Sequence, residues 1–146
     1  MPKINDMGYG EFNVVIGWPS EGALSLDFPY EGPIEYGDPV KIDPTTGKVV
    51  KAFSATEQGF IGFALGGDLE PNVYGSGKIT VLMSSFVADT KKYNTMAVFQ
   101  PGDIITVEGG VIDKYDPSSS QVPIGIVLSV DTANQVLRFL FKGAKY

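Results

Sequence analysis

The chain contains no cysteine and no histidine. Without thiols there is no disulfide framework and no thiolate nucleophile, and without imidazole as well a zinc site loses its two commonest donors. A serine nucleophile has no histidine to activate it, and no spacing in the chain supports a Ser-Lys pair in its place. Basic residues are also scarce: 11 Lys and Arg stand against 17 Asp and Glu, a net charge of −6. That balance opposes nucleic acid and anionic membrane surfaces, because binding to either rests on cations meeting phosphate. Long apolar runs are missing too. No stretch approaches the ~18 residues of a membrane span, and Met1 to Asp6 lacks the apolar run of a signal peptide. The expectation is a soluble protein with no cofactor and no metal.

Glycine and aromatic residues, by contrast, are plentiful, with 18 Gly, 9 Phe, 7 Tyr and 1 Trp. A chain of 146 residues fits one domain with a core large enough to need no metal or disulfide. A mean hydropathy just above zero is rather apolar for a lone soluble monomer and points to surface buried between subunits.

Two stretches of the chain are similar to each other. Gly37-Asp38-Pro39-Val40-Lys41-Ile42-Asp43 aligns with Gly102-Asp103-Ile104-Ile105-Thr106-Val107-Glu108. Gln58 to Leu65 aligns with Gln121 to Leu128, and Gly47-Lys48-Val49 with Gly109-Gly110-Val111. Counting Asp68 with Asp131, the alignment holds nine identical pairs, where average composition gives roughly two. The chain therefore reads as an N-terminal arm or first strand, residues 1–36, followed by a duplicated β domain, residues 37–146, with units near 37–83 and 98–141.

Each unit carries strand signals. Val40 and Ile42 alternate with Lys41 and Asp43, and Ile105 and Val107 alternate with Thr106 and Glu108, the period of a half-buried strand. Asp43-Pro44-Thr45-Thr46-Gly47 is turn chemistry that reverses the chain into Lys48 to Phe53, and Glu108-Gly109-Gly110 makes the same reversal with a shorter loop. Gly62 and Gly125 interrupt the apolar runs Phe60 to Leu65 and Ile124 to Leu128, where an interior glycine marks a bulge, a bend or a close backbone approach. Gly37, Gly47, Gly62, Gly102, Gly109 and Gly125 are accordingly read as structural turn or bend positions. Further strands are expected at Lys78 to Met83 and Val136 to Phe141, with a continuation through Phe86 and Val87, a loop at Asp89 to Lys92 and an approach strand at Met96 to Phe99. The fold class expected is all-β, a compact β-barrel or two-sheet β-sandwich.

Motifs for chemistry are weak. Asn72 to Ile79 has the outline of a phosphate-binding loop, but Asn72 replaces its first glycine, Ile79 its Ser or Thr, and a strand follows instead of a helix. Glu31, Glu35 and Asp38 are candidates for a hydrolytic carboxylate pair, against the simpler reading of solvated turn charges. Asp113 and Asp116 lack the spacing of a calcium loop. The arm, with one convincing strand at Phe12 to Ile16, holds aromatics among glycines that pack either on this domain or on a neighbour. Phe12, Trp18, Phe28 and Tyr30 are the candidate partner contacts.

The order Gly-Asp-x-Val, glycine turn, apolar strand and Ile-Gly step, carried by Gly37, Asp38, Val40, Gly47, Ile61, Gly62, Gly102, Asp103, Gly125 and the strand Leu137 to Phe141, resembles the small β-rich bacteriophage head decoration proteins, the capsid cement proteins. The likeness covers roughly the last three quarters of the chain. It implies no catalysis, a homo-oligomer with a trimer favoured, and the major capsid protein as partner. The place it implies is the outer surface of the virion head, after assembly in the host cytoplasm. A carbohydrate- or receptor-binding module of the virion, such as a head fibre, and a carboxylate-dependent hydrolase are the other classes.

Overall fold

The computed structural model describes residues 12–16, 24–67 and 77–143. Among them there are strands and turns and no helix. In chain order the strands are β1 (Phe12–Ile16), β2 (Ser25–Pro29), β3 (Pro39–Ile42), β4 (Val49–Lys51), β5 (Phe60–Ala64), β6 (Lys78–Leu82), β7 (Phe86–Thr90), β8 (Ile104–Glu108), β9 (Val111–Lys114), β10 (Gly125–Asp131) and β11 (Val136–Phe141). They form a six-stranded sheet in the order β1-β7-β11-β10-β8-β9 and a five-stranded sheet in the order β2-β6-β5-β3-β4, antiparallel throughout. The protein is all-β, with two sheets packed together.

With β1 set aside, the two strand orders are the same. Each unit runs first strand, fifth, fourth, second, third, so the repeat spans 25–82 and 86–141 and begins one strand earlier than its Gly-Asp signature. Each sheet also curls back on itself. Tyr30, beyond the end of β2, bridges Val49 of β4, and Tyr93, beyond β7, bridges Ile112 of β9, both in parallel. The Glu31 N–H donates to the Val49 carbonyl at 2.9 Å and the Asn94 N–H to the Ile112 carbonyl at 2.8 Å. The two sheets are therefore partly closed barrels laid side by side, which unites the two forms the sequence left open.

Cross-strand register fixes which residues correspond. Val40 lies opposite Gly62 as Ile105 lies opposite Gly125. Asp27 lies opposite Thr80 as Asp89 lies opposite Arg138. Ile42 faces Val49 and Val107 faces Ile112, so Val49 corresponds to Ile112, one place beyond Val111. The interior of the first unit includes Ile34, Val40, Val49, Ile61, Ile79 and Val81, and the same places in the second hold Phe99, Ile105, Ile112, Ile124, Leu137 and Phe139. Larger side chains fill the second interior, whose cluster continues into the joint between units.

At that joint Phe63 of β5 meets Phe86, Phe139 and Phe141, with ring centroids 5.7, 5.7 and 5.1 Å away. Edge-on packing of this kind is favourable beyond the area it buries. The units are also tied by backbone: the Ala55 N–H donates to Val107 at 3.1 Å and the Gly110 N–H to Phe53 at 3.0 Å.

Three local expectations are corrected. Asp89 and Thr90 belong to β7, so the loop starts at Lys91, and 96–99 forms turn and irregular chain instead of an approach strand. Thr106 lies on the face opposite Ile105 and Val107 yet is buried, not solvated: its hydroxyl donates to the Val122 carbonyl at 2.6 Å and so loses no hydrogen bond on leaving water. Of residues 1–36, read as an arm or first strand, the described part supplies strands to this domain: β1 pairs with β7, and β2 pairs along its length with β6 as the first strand of the first unit.

Candidate functional site

The carboxylates nearest one another belong to a turn that the chain builds twice. In Glu35-Tyr36-Gly37-Asp38 the Asp38 Oδ2 accepts the Glu35 N–H at 2.8 Å, the Asp38 N–H donates to the Glu35 carbonyl at 3.0 Å, and the Gly37 N–H donates to Ala64 at 2.7 Å. In Gln100-Pro101-Gly102-Asp103 the Asp103 Oδ2 accepts the Gln100 N–H at 2.8 Å, the Asp103 N–H donates to the Gln100 carbonyl at 3.1 Å, and the Gly102 N–H donates to Val127 at 2.8 Å. Gly37 and Gly102 have φ of 89° and 93°, the left-handed region that glycine enters without a side-chain clash. Even the lysine is repeated: Lys51 Nζ lies 3.6 Å from Asp38 and Lys114 Nζ 3.5 Å from Asp103.

The surroundings of the two turns differ. Asp38 is buried, and its Oδ1, without a hydrogen bond, faces Lys51 and also Lys92 of the second unit at 3.5 Å. Lys92 also reaches Glu35 at 3.1 Å, and that hydrogen bond, with the lysine's charge, lowers the Glu35 pKa below its ordinary 4.5. Glu35 and Asp38 thus share a lysine that locks one unit to the other. Because Asp103 makes the same bonds beside a glutamine, turn closure accounts for the contacts of Asp38 without a second acid.

The remaining candidates are dispersed. Glu31 is exposed and its backbone pairs with Val49. Asp113 accepts from Asn94 and from the Lys114 N–H, while Asp116 accepts both the N–H and the hydroxyl of Ser118, bonds that lower its pKa. Among the described residues no group of three or more acids, histidines or cysteines gathers to hold a metal ion. Asn72 to Ser76 lie outside the described residues, and the run that follows Gly77 is β6. No helix among the described residues is long and apolar enough to cross a membrane.

Of the candidate partner contacts, Phe12 is corrected outright. Its ring is buried among Tyr36, Phe63, Phe86 and Phe139, so it presents no surface to a neighbour. Phe28 and Tyr30 are half-buried and pack against the first interior. Trp18 lies outside the described residues. Gly47 and Gly109 occupy tight turns with φ of 72° and 67°. At Gly62 and Gly125 the determining feature is proximity: a β-carbon would fall on the carbonyl oxygen of Leu82 or of Leu140, the same neighbour in each unit.

Sequence reasoning missed the two most exposed large apolar side chains among the described residues. Met96 is 91% and Val98 76% exposed, on the loop that borders a groove of about 220 Å³ walled by Tyr93, Phe99 and Val130. A wider groove of about 450 Å³ lies in the first unit between Glu31–Pro33 and Lys41, Lys51 and Phe53. Lys51 Nζ stands 5.7 Å from the centre of the Phe53 ring, within cation–π range. Two apolar residues among Asn94, Thr95 and Ala97 carry no periodicity, so nothing in the sequence marked them. A scan against models of protein families finds no match to the chain, and no curated protein matches it.

Proposed function

We propose that the protein is a bacteriophage head decoration protein, a non-catalytic structural component that binds the outside of the head and ties major capsid subunits together. The observation that carries the reading is the repeated acidic turn. Its carboxylates, the most plausible starting point for chemistry, make the same turn-closing bonds in both units. Such a body, cross-tied by a phenylalanine cluster and by Lys92, suits mechanical adhesion, in which many modest contacts act together. The sequence likeness supplies the capsid and the trimeric assembly. In this reading the Met96–Val98 loop replaces Phe12 as the surface that meets the capsid.

The test uses heads isolated with and without the chain. Wild-type protein should saturate bare heads in co-sedimentation and add density to their outer surface in electron micrographs. Met96→Glu with Val98→Glu should abolish that binding while leaving thermal unfolding unchanged. Absence of the chain from purified particles, or turnover of a substrate by the purified chain, would sink the proposal. The first-unit groove favours a second reading, a virion module that binds a carbohydrate or receptor beside exposed Phe53. Capture of a glycan lost on Phe53→Ala would establish that reading instead.

A further inference from the structure

Within the chain, the outer face of the first unit seats on the inner face of the second. Pro39 and Phe63 supply the outer face and are buried, with half-buried Leu65 following on the same strand run. Phe86, Ala88 and Phe141 receive them and are buried too. Strand register assigns each a counterpart in the other unit: Ile104, Ile126 and Leu128 correspond to Pro39, Phe63 and Leu65, while Leu24, Leu26 and Met83 correspond to Phe86, Ala88 and Phe141.

Four of these six counterparts are uncovered, while Ile126 and Met83 are half-buried. Ile104 and Leu128 are 50% and 41% exposed, and Leu24 and Leu26 are 54% and 52% exposed. They make up four of the eight large apolar side chains exposed among the described residues. The turn beside the outer face follows suit, since Asp38 is buried but Asp103 keeps a quarter of its side chain in solvent. Among the described residues the receiving side is open at its edge as well: β7 has β1 beyond it, whereas β2 ends its sheet.

We propose that copies of this chain join head to tail, the second unit's outer face of one copy seating on the first unit's inner face of the next. That contact continues between chains the joint already made inside each one. Its two faces differ, so the contact is heterologous: it makes a ring where its rotation closes and an open filament where it does not, and the proposed form is the closed ring. Lys92 has no lysine counterpart at Pro29 or Tyr30, so the joint between copies is apolar and salt leaves it intact.

Native mass measurement of the purified chain, with no head present, tests this separately from capsid binding. The wild-type chain should form a species of defined mass larger than a dimer. Leu24→Glu with Leu26→Glu closes the receiving face and Ile104→Glu with Leu128→Glu closes the outer face. Each variant alone should be monomeric, its joint weakened at least about 100-fold by burial of unpaired carboxylates, with wild-type circular dichroism. Mixed in equal amounts the two variants should pair into a dimer, because one intact joint survives. A monomeric wild-type chain, which is the result if these faces serve another protein, would overturn the proposal. So would an oligomer that both variants leave unchanged, or variants that stay monomeric on mixing.

Discussion

At the scale of single residues the duplication supplies its own controls. A β-carbon at Gly37 would run into the Phe12 side chain, whereas at Gly102 it meets nothing within 4 Å, although both share a positive φ. Gly102→Ala should therefore cost only the backbone strain, about 1 kcal/mol, and Gly37→Ala should cost at least about 1 kcal/mol more because the ring has to move. Urea midpoints at constant slope measure the difference. The acidic turns make a second pair. Asp38→Ala leaves Lys92, whose side chain is only 12% exposed, with Glu35 as its remaining acid and also removes the turn bond, and should cost about 2 kcal/mol or more. Asp103→Ala removes the same turn bond beside a half-exposed lysine and should cost about 1 kcal/mol. Equal losses in the two variants would show that Lys92 adds nothing to the first turn.

At the scale of elements, β1, the strand expected at Phe12 to Ile16, stands outside the repeat. It extends the second unit's sheet through β7, and its Phe12 and Val14 join the shared core. Phe12→Ala should cost about 3–5 kcal/mol, and a chain that starts at residue 17 should lose its cooperative transition by circular dichroism, whereas one that starts at residue 12 should keep it. Elements whose signal was local were legible: the hairpins at Asp43–Gly47 and Gly109–Gly110 announce themselves through turn residues, and Gly62 and Gly125 through their place in apolar runs. Ser25 to Pro29 was not legible because it is short, holds two apolar side chains and ends in proline, and only its pairing with β6 makes it a strand. The exposure of Ile104 and Leu128 was not legible either, since alternation states which residues share a face but not whether another face covers it. For the same reason Phe12 reads as a contact residue from sequence, although the bare Gly37 leaves room for its ring.

At the scale of the whole molecule, one cluster of buried side chains runs through both units, so they should unfold together. Calorimetry should show a single transition whose measured and van't Hoff enthalpies agree. Acid should weaken the fold in a defined range. The Glu35 pKa is lowered by Lys92, and that of Asp131 by its hydrogen bonds with Asn134. Burial opposes ionisation of Glu57, but Lys41 and the N–H groups of Phe53 and Ser54 outweigh it and lower its pKa too. Each of these groups holds its proton less tightly folded than unfolded, so their stabilisation is present above the ordinary values of 4.5 and 3.8 and fades as pH drops below them. The melting temperature should stay flat from about pH 6 to 8, where no imidazole titrates, and then fall toward pH 3. Glu57→Gln should make that fall shallower.

The position of β1 also orders events on the ribosome. The first of the described strands docks beside β7, whose other edge waits for β11, which ends at Phe141. The first unit can curl up as soon as residue 82 has emerged, with Phe12 against Tyr36 and Phe63, but until β11 follows both rings lack Phe139 and Phe63 also lacks Phe141, so an arrested nascent chain offers their open sides to chaperones.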